Sequence, residues 1–293
     1  MRRTERFIAS SDSVTRQLAV TASYQPVLLA MARPGKVLTK PVASMKEAEA
    51  EWSAALGQHN DTRDIGRAPA HPLSNRWVNN TARLFPRLFI RCVQLRAGTL
   101  GTAARRGRGR KPVAERLYRG GCGAVETLQH VLQSCSVTHH MRCRRHNEVV
   151  KMLAKALRGE GRKILIEPRI PLEKSFCKPD VVMVEGRTAY VMDVAIPSES
   201  RMQETWLLKS DRYGARGVVE SLPRQLEATG HQVDDVVQSP IVISMRGLLH
   251  RTTAGMLSRL RVTKLTLSDM VIQTMRGSLR TYDVYTNGCG WTP

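Results

Sequence analysis

The feature that most restricts the fold is a pair of β-rich runs, Lys178 to Glu185 and Thr188 to Val194, joined across Gly186 and Arg187. Alternating apolar and β-branched residues on both sides of a Glu-Gly-Arg turn are the signal of a hairpin. With Gly186 and Arg187 as the central turn residues, Val184 faces Ala189, Val182 faces Val191, and Asp180 faces Asp193. Facing residues on one side of a sheet have Cβ atoms about 5 Å apart, and like charges there repel unless something neutralises them. A hard divalent cation held by carboxylate oxygens is one such neutraliser. Asp180 begins its run and Asp193 nearly ends the partner, so the pair is expected at a sheet edge. Against this stands the commoner case of two unrelated surface aspartates at strand ends.

The next element adds a cation. A helix is expected from about Ser200 to Tyr213, with Ser200 and Gln203 as a capping box and Gly214 as its stop. Met202, Trp206, Lys209 and Tyr213 follow the spacing of one face. A lysine within that inward stripe either snorkels, its stem packed and its ammonium in water, or sits beside the carboxylates. In the second case it positions an attacking water or offsets charge on a phosphate.

Around this unit short β-type runs appear at Ile164 to Ile170 and Pro240 to Ser244, with helical patterns at Leu248 to Leu260 and Ser268 to Met275. Strands interleaved with helices predict an α/β domain over 148–275, with 276–293 as a tail. Upstream, a helix is expected from about Pro86, and Val149, Val150, Leu153 and Leu157 form one stripe of another, with Lys151, Lys155 and Arg158 facing outward. Residues 1–75 read as a poorly defined helical region, with a short helix at Glu47 to Trp52. Residues 76–115 read as a helix followed by an Arg-rich linker, and 116–147 as a Cys/His knuckle.

The linker, Gly98 to Lys111, holds Arg105, Arg106, Arg108, Arg110 and Lys111 among glycines. It is expected to be flexible, its cations either tracking a phosphate backbone or merely solvated. The whole chain carries 46 basic against 25 acidic residues, a net charge of +21, which suits a polyanion. Arginine's planar fork grips phosphate oxygens in pairs, although a GC-rich coding sequence would also favour arginine. No apolar stretch is long enough to cross a bilayer, so a soluble intracellular protein with no membrane partner is expected.

The knuckle contains Cys122, His130 and Cys135, a compact set suited to zinc. A fourth ligand is open among His139, His140 and Cys143, and a metal-free knot around Val125, Leu128, Val131 and Leu132 is the alternative. Arg142, Arg144 and Arg145 are candidate nucleic-acid contacts in either case. Cys92, Cys177 and Cys289 read as ordinary buried or incidental thiols.

Lys178-Pro179-Asp180, then Asp193 after twelve residues, then Lys209 with Tyr213 four residues on, resembles the restriction-like endonuclease of site-specific non-LTR retrotransposons. The resemblance extends through Glu167-Pro168-Arg169-Ile170-Pro171, Thr138-His139 and Arg145-His146-Asn147, and more loosely to Gln94-Leu95-Arg96. It implies a restriction-endonuclease-like mixed sheet flanked by helices. Asp180 and Asp193 would bind magnesium or manganese, and Lys209 would complete a site that nicks target DNA to prime reverse transcription. In ordinary restriction enzymes the lysine lies two residues after the second acid, where this chain has Ala195. Where the family has the first knuckle cysteine, this chain has Tyr118. Glu167 is either a third carboxylate or a solvent-facing strand residue. A DNA target, an element RNA and a nuclear location follow from the same resemblance, while no polymerase acidic motif is present. The competing expectation is a remnant that binds nucleic acid without cutting it.

Overall fold

The computed structural model describes residues 61–80, 84–107 and 121–287, together with Ala54, Gln58, Pro112 and Leu117. The helix expected at Glu47 to Trp52, and Arg108, Arg110, Lys111, Tyr118 and Cys289, lie outside the described residues. The chain divides into two units, Met1–Gly66 and Arg67–Pro293.

The centre of the second unit is a mixed sheet with helices on both faces. Strands β1 (Arg162–Ile166), β4 (Val181–Glu185), β5 (Thr188–Met192) and β7 (Asp235–Gln238) lie in the order β1-β4-β5-β7. Between β1 and β4 sits a small antiparallel pair, β2 (Ile170–Pro171) and β3 (Phe176–Cys177). The β4/β5 hairpin has the register its turn dictates, with Val184 facing Ala189, Val182 facing Val191 and Val181 facing Met192. Gly186 takes a left-handed φ of 59°, a conformation in which a Cβ is strained. Beyond β5 the chain continues through Asp193 into β6 (Val194–Ala195), which runs parallel to β8 (Ile241–Val242). Because Ile241 N–H donates to Asp193 O, β6/β8 prolongs the β5/β7 ribbon past the point where β4 begins. The carboxylates therefore lie at an interruption within the sheet, with β5 carried on beyond them, and not at an outer edge.

Alternation along β4 sorts the two cores. Val181 and Met183 face a core shared with helices α1 (Pro86–Arg96), α2 (His139–Leu157), α5 (Arg251–Arg259) and α6 (Lys264–Asn287). Val182 and Val184 face the other core, formed with α3 (Met202–Gly214) and α4 (Arg216–Glu227). A strand buried on both faces needs apolar residues at every position, as Val181 to Val184 supply.

Several boundaries differ from expectation. The helix of the Val149 stripe starts at His139, so the second half of the expected knuckle is its first turns. The expected tail is helical as far as Asn287, with Leu279, Tyr282 and Tyr285 buried. Part of the expected flexible linker is packed: Leu100 is buried, Ala103–Arg106 is a short helix capped by the Thr102 hydroxyl, and buried Glu126 accepts from Ala103 N–H at 2.7 Å. Ser200 makes no capping bond, since a 3-10 turn, Glu199–Arg201, leads into α3. Among the described residues no helix is long and apolar enough to cross a membrane.

Candidate functional site

Asp180 is held at both its backbone and its side chain. Its carbonyl accepts Glu167 N–H at 2.9 Å, one residue beyond the last β1/β4 pair. Its Oδ2 accepts Val194 N–H at 2.7 Å, so the carboxylate continues the ladder where the β4 backbone has stopped. The same oxygen lies 3.1 Å from His146 Nε2 on α2, and that nitrogen is also 3.1 Å from Val194 O. Among the described residues nothing donates to Asp180 Oδ1.

Asp193 is 6% exposed and lies against α3. Tyr213 OH donates to its Oδ1 at 2.7 Å, and Lys209 Nζ donates to its Oδ2. Lys209 and Tyr213 are four residues apart and share one helix face. The Lys209 side chain remains 28% exposed, and its outer side lines a cleft with Gln129, Gln133, Ser134, Ser198 and Thr205.

The two acids thus flank Val194, each with a basic partner supplied by the protein: His146 for Asp180 and Lys209 for Asp193. The hydrogen bond to Asp180 raises the His146 pKa to about 8 against the opposing effect of burial. Burial beside Asp193 pushes the Tyr213 phenol far above its usual range, so it serves as a donor. Glu167 does not join them; its carboxylate is exposed and pairs with Lys178.

His146 is the site residue that reasoning from spacing missed. Its partner is 34 positions away, and only the packing of α2 on the sheet brings them together. The one available signal was its place in the Arg145-His146-Asn147 string.

A second cluster lies at the end of the α2 layer. Ligand atoms of Cys122, His130 and Cys135 all fall within 4.8 Å of one another, and Cys122 Sγ is 3.2 Å from His130 Nε2. Two ligands at zinc distances in a tetrahedron are roughly 3.6 Å apart, so these donors fit a soft or borderline divalent ion. Burial and the nearby Arg142 cation lower the His130 pKa, favouring the neutral imidazole that a metal requires. His139 and Cys143, both candidates for the fourth position, instead face each other on α2 at 3.5 Å. Among the described residues the set holds three donors.

The basic candidates separate. Arg144 is exposed and Arg106 is largely so, while Arg142 donates to Cys135 O at 3.0 Å and braces the Cys/His turn. Arg105 donates to Gly98 O and Arg106 to Gly101 O, so both cations are partly engaged in holding their own loop. Arg145 must be withdrawn from the nucleic-acid set. It is 3% exposed, donates to Ser278 Oγ and Leu132 O, and passes so close to α6 that a Cβ on Gly277 would lie 2.4 Å from its Cγ. Cys92 and Cys177 are buried, and burial lifts the Cys92 thiol to about 11, which makes it inert.

No family model matches the chain. It is 35% identical over 168 residues to a retrovirus-related Pol polyprotein from type-1 retrotransposable element R2 of Popillia japonica, covering 55% of this chain and 23% of that protein. It is 27% identical over 252 residues to the Pol polyprotein from type-2 retrotransposable element R2DM of Drosophila melanogaster, covering 85% of this chain and 23% of the relative. A third relative, the R2 Pol polyprotein of Nasonia vitripennis, is 25% identical over 252 residues, with 84% and 24% covered. The homologues of this chain are therefore R2 non-LTR retrotransposon Pol polyproteins, and it spans about a quarter of the length of these three.

Proposed function

We propose that the chain is a metal-dependent DNA endonuclease with a restriction-like fold, which nicks a target strand so that the exposed end primes insertion of a retroelement. The observation that carries this reading is the junction of β5 and β6, where Asp180 and Asp193 flank Val194 and Lys209 reaches Asp193 from α3. Asp180 Oδ1, free of described donors, and the remaining lone pairs on Asp193 are hard oxygen donors suited to magnesium or manganese. A bound divalent ion would supply Lewis-acid polarisation of the phosphate and a more acidic water.

The protein's own groups do the rest. Lys209 sits at the cleft mouth, where its ammonium offsets charge growing on the phosphate oxygens. Tyr213 fixes Asp193 so that the carboxylate does not rotate away. In the reaction water's oxygen bonds to phosphorus, the bond to the 3′ oxygen breaks, and that oxygen leaves with a proton as the 3′-hydroxyl a polymerase extends. The Cys122, His130 and Cys135 cluster is read as a zinc knuckle. Together with the net charge of +21, it suits DNA and the element's RNA as partners and a nuclear site of action.

The test is nicking of supercoiled DNA with magnesium by wild type, Asp180→Ala and Lys209→Ala. The reading expects cutting by wild type alone. Equal cutting by all three would remove the assignment, and salt-sensitive binding without cutting would favour a nucleic-acid-binding remnant.

A further inference from the structure

We propose that His146 is a positioning residue of the carboxylate site, holding Asp180 Oδ2 so that Oδ1 is presented outward; this rests on the nuclease reading above. Val194 O is an acceptor only, so the Nε2 atom 3.1 Å from it must carry the proton and donate. The same N–H faces Asp180 Oδ2, which also takes Val194 N–H. His146 therefore ties together the residue that immediately precedes β4 and the residue that follows Asp193, the two backbone points on which the spacing of the acids depends.

Its direction is set by the helix that carries it. Arg145, the preceding residue, is pinned to Ser278 and Leu132, while Val149, Val150, Leu153 and Leu157 anchor α2 in the core. The ring is thus delivered to the sheet interruption by long-range packing. Without it, Asp180 Oδ2 keeps a single donor, the Val194 N–H, and the side-chain tie from α2 to the start of β4 is lost. Groups that orient a metal-binding carboxylate typically matter about 10- to 100-fold for metal affinity or activity.

The experiment measures Mn²⁺ binding by calorimetry and nicking with Mn²⁺ on the full chain, for wild type, Asp180→Ala, His146→Ala and His146→Gln. The Gln amide retains an N–H donor at similar reach. His146→Ala is expected to bind Mn²⁺ about 10-fold or more weakly and to need correspondingly more of it to nick. His146→Gln is expected to recover most of that loss, which a mere space-filling role would not predict. Unchanged Mn²⁺ affinity in His146→Ala, with both functions lost in Asp180→Ala, overturns this proposal and leaves the nuclease reading standing. If His146→Ala does not fold, a folded His146→Gln with no better Mn²⁺ affinity than Asp180→Ala overturns it as well. A wild type that neither binds Mn²⁺ nor nicks removes the nuclease reading and this inference with it.

Discussion

The carboxylate site and the Cys/His cluster are both groups of metal-type ligands, yet they are built in opposite ways. Asp180, Asp193, His146 and Lys209 come from four separate places in the chain, and each lies in or directly beside an element rooted in a core. Cys122, His130 and Cys135 come from one short stretch, with Gly121 and Gly123 in left-handed conformations around an exposed Cys122. In the first, long-range packing aims the side chains without any ion. In the second, local chain entropy opposes closure, and a bound ion would supply order that the chain itself does not.

The largest effect expected from this contrast is at Asp193. Replacing it by alanine leaves Lys209 and Tyr213 facing a buried gap with no acceptor. Stability should fall by about 3 kcal/mol in urea unfolding, the low end for a broken buried pair because Lys209 is partly exposed. A loss under about 1 kcal/mol, close to the effect of a surface substitution, would show that the site is not held by packing.

Acidification tests the support of α3. His250 caps α5, accepts Thr252 N–H, meets Gln203 Oε1 at 3.1 Å and stacks on Trp206. Burial lowers its pKa to about 4. Since the unfolded imidazole titrates near 6.5, its contribution is fully present above that pH and is lost as pH falls from about 6.5 through 4, by up to about 3 kcal/mol. His250→Gln should flatten that window in urea unfolding measured against pH; an unchanged slope would remove His250 as the cause.

Tyr213→Phe should cost about 2 kcal/mol, the worth of one hydrogen bond to a charged group, without changing the fold. Chelation should have the smallest effect on the sheet. Hydrogen exchange is expected to accelerate across 122–135 while β4 and β5 keep their protection. Equal loosening of both regions would break the comparison.

The same contrast explains what could be read in advance. The hairpin register followed from Gly186 and the alternation around it, and the place of Lys209 on the inward stripe of α3 followed from helical spacing, because both are local rules; that its ammonium reaches Asp193 instead of snorkelling was visible only in the fold. The far end of α6 did not follow. Thr274, Ser278 and Thr281 are buried there and dilute its apolar stripe, but they return their hydroxyls to the carbonyls of Met270, Met245 and Gly277. Arg145 looked like surface because its neighbours Arg142 and Arg144 are basic. Its burial depends on Ser278, 133 positions away, and on the close approach at the neighbouring Gly277. His146 was hidden for the same reason.

The most direct measurement is anomalous diffraction from Mn²⁺-soaked crystals of the full chain. A manganese peak is expected within coordination distance of both Asp180 and Asp193, lost in Asp180→Ala. A peak confined to Cys122, His130 and Cys135, with none between the acids, would contradict it.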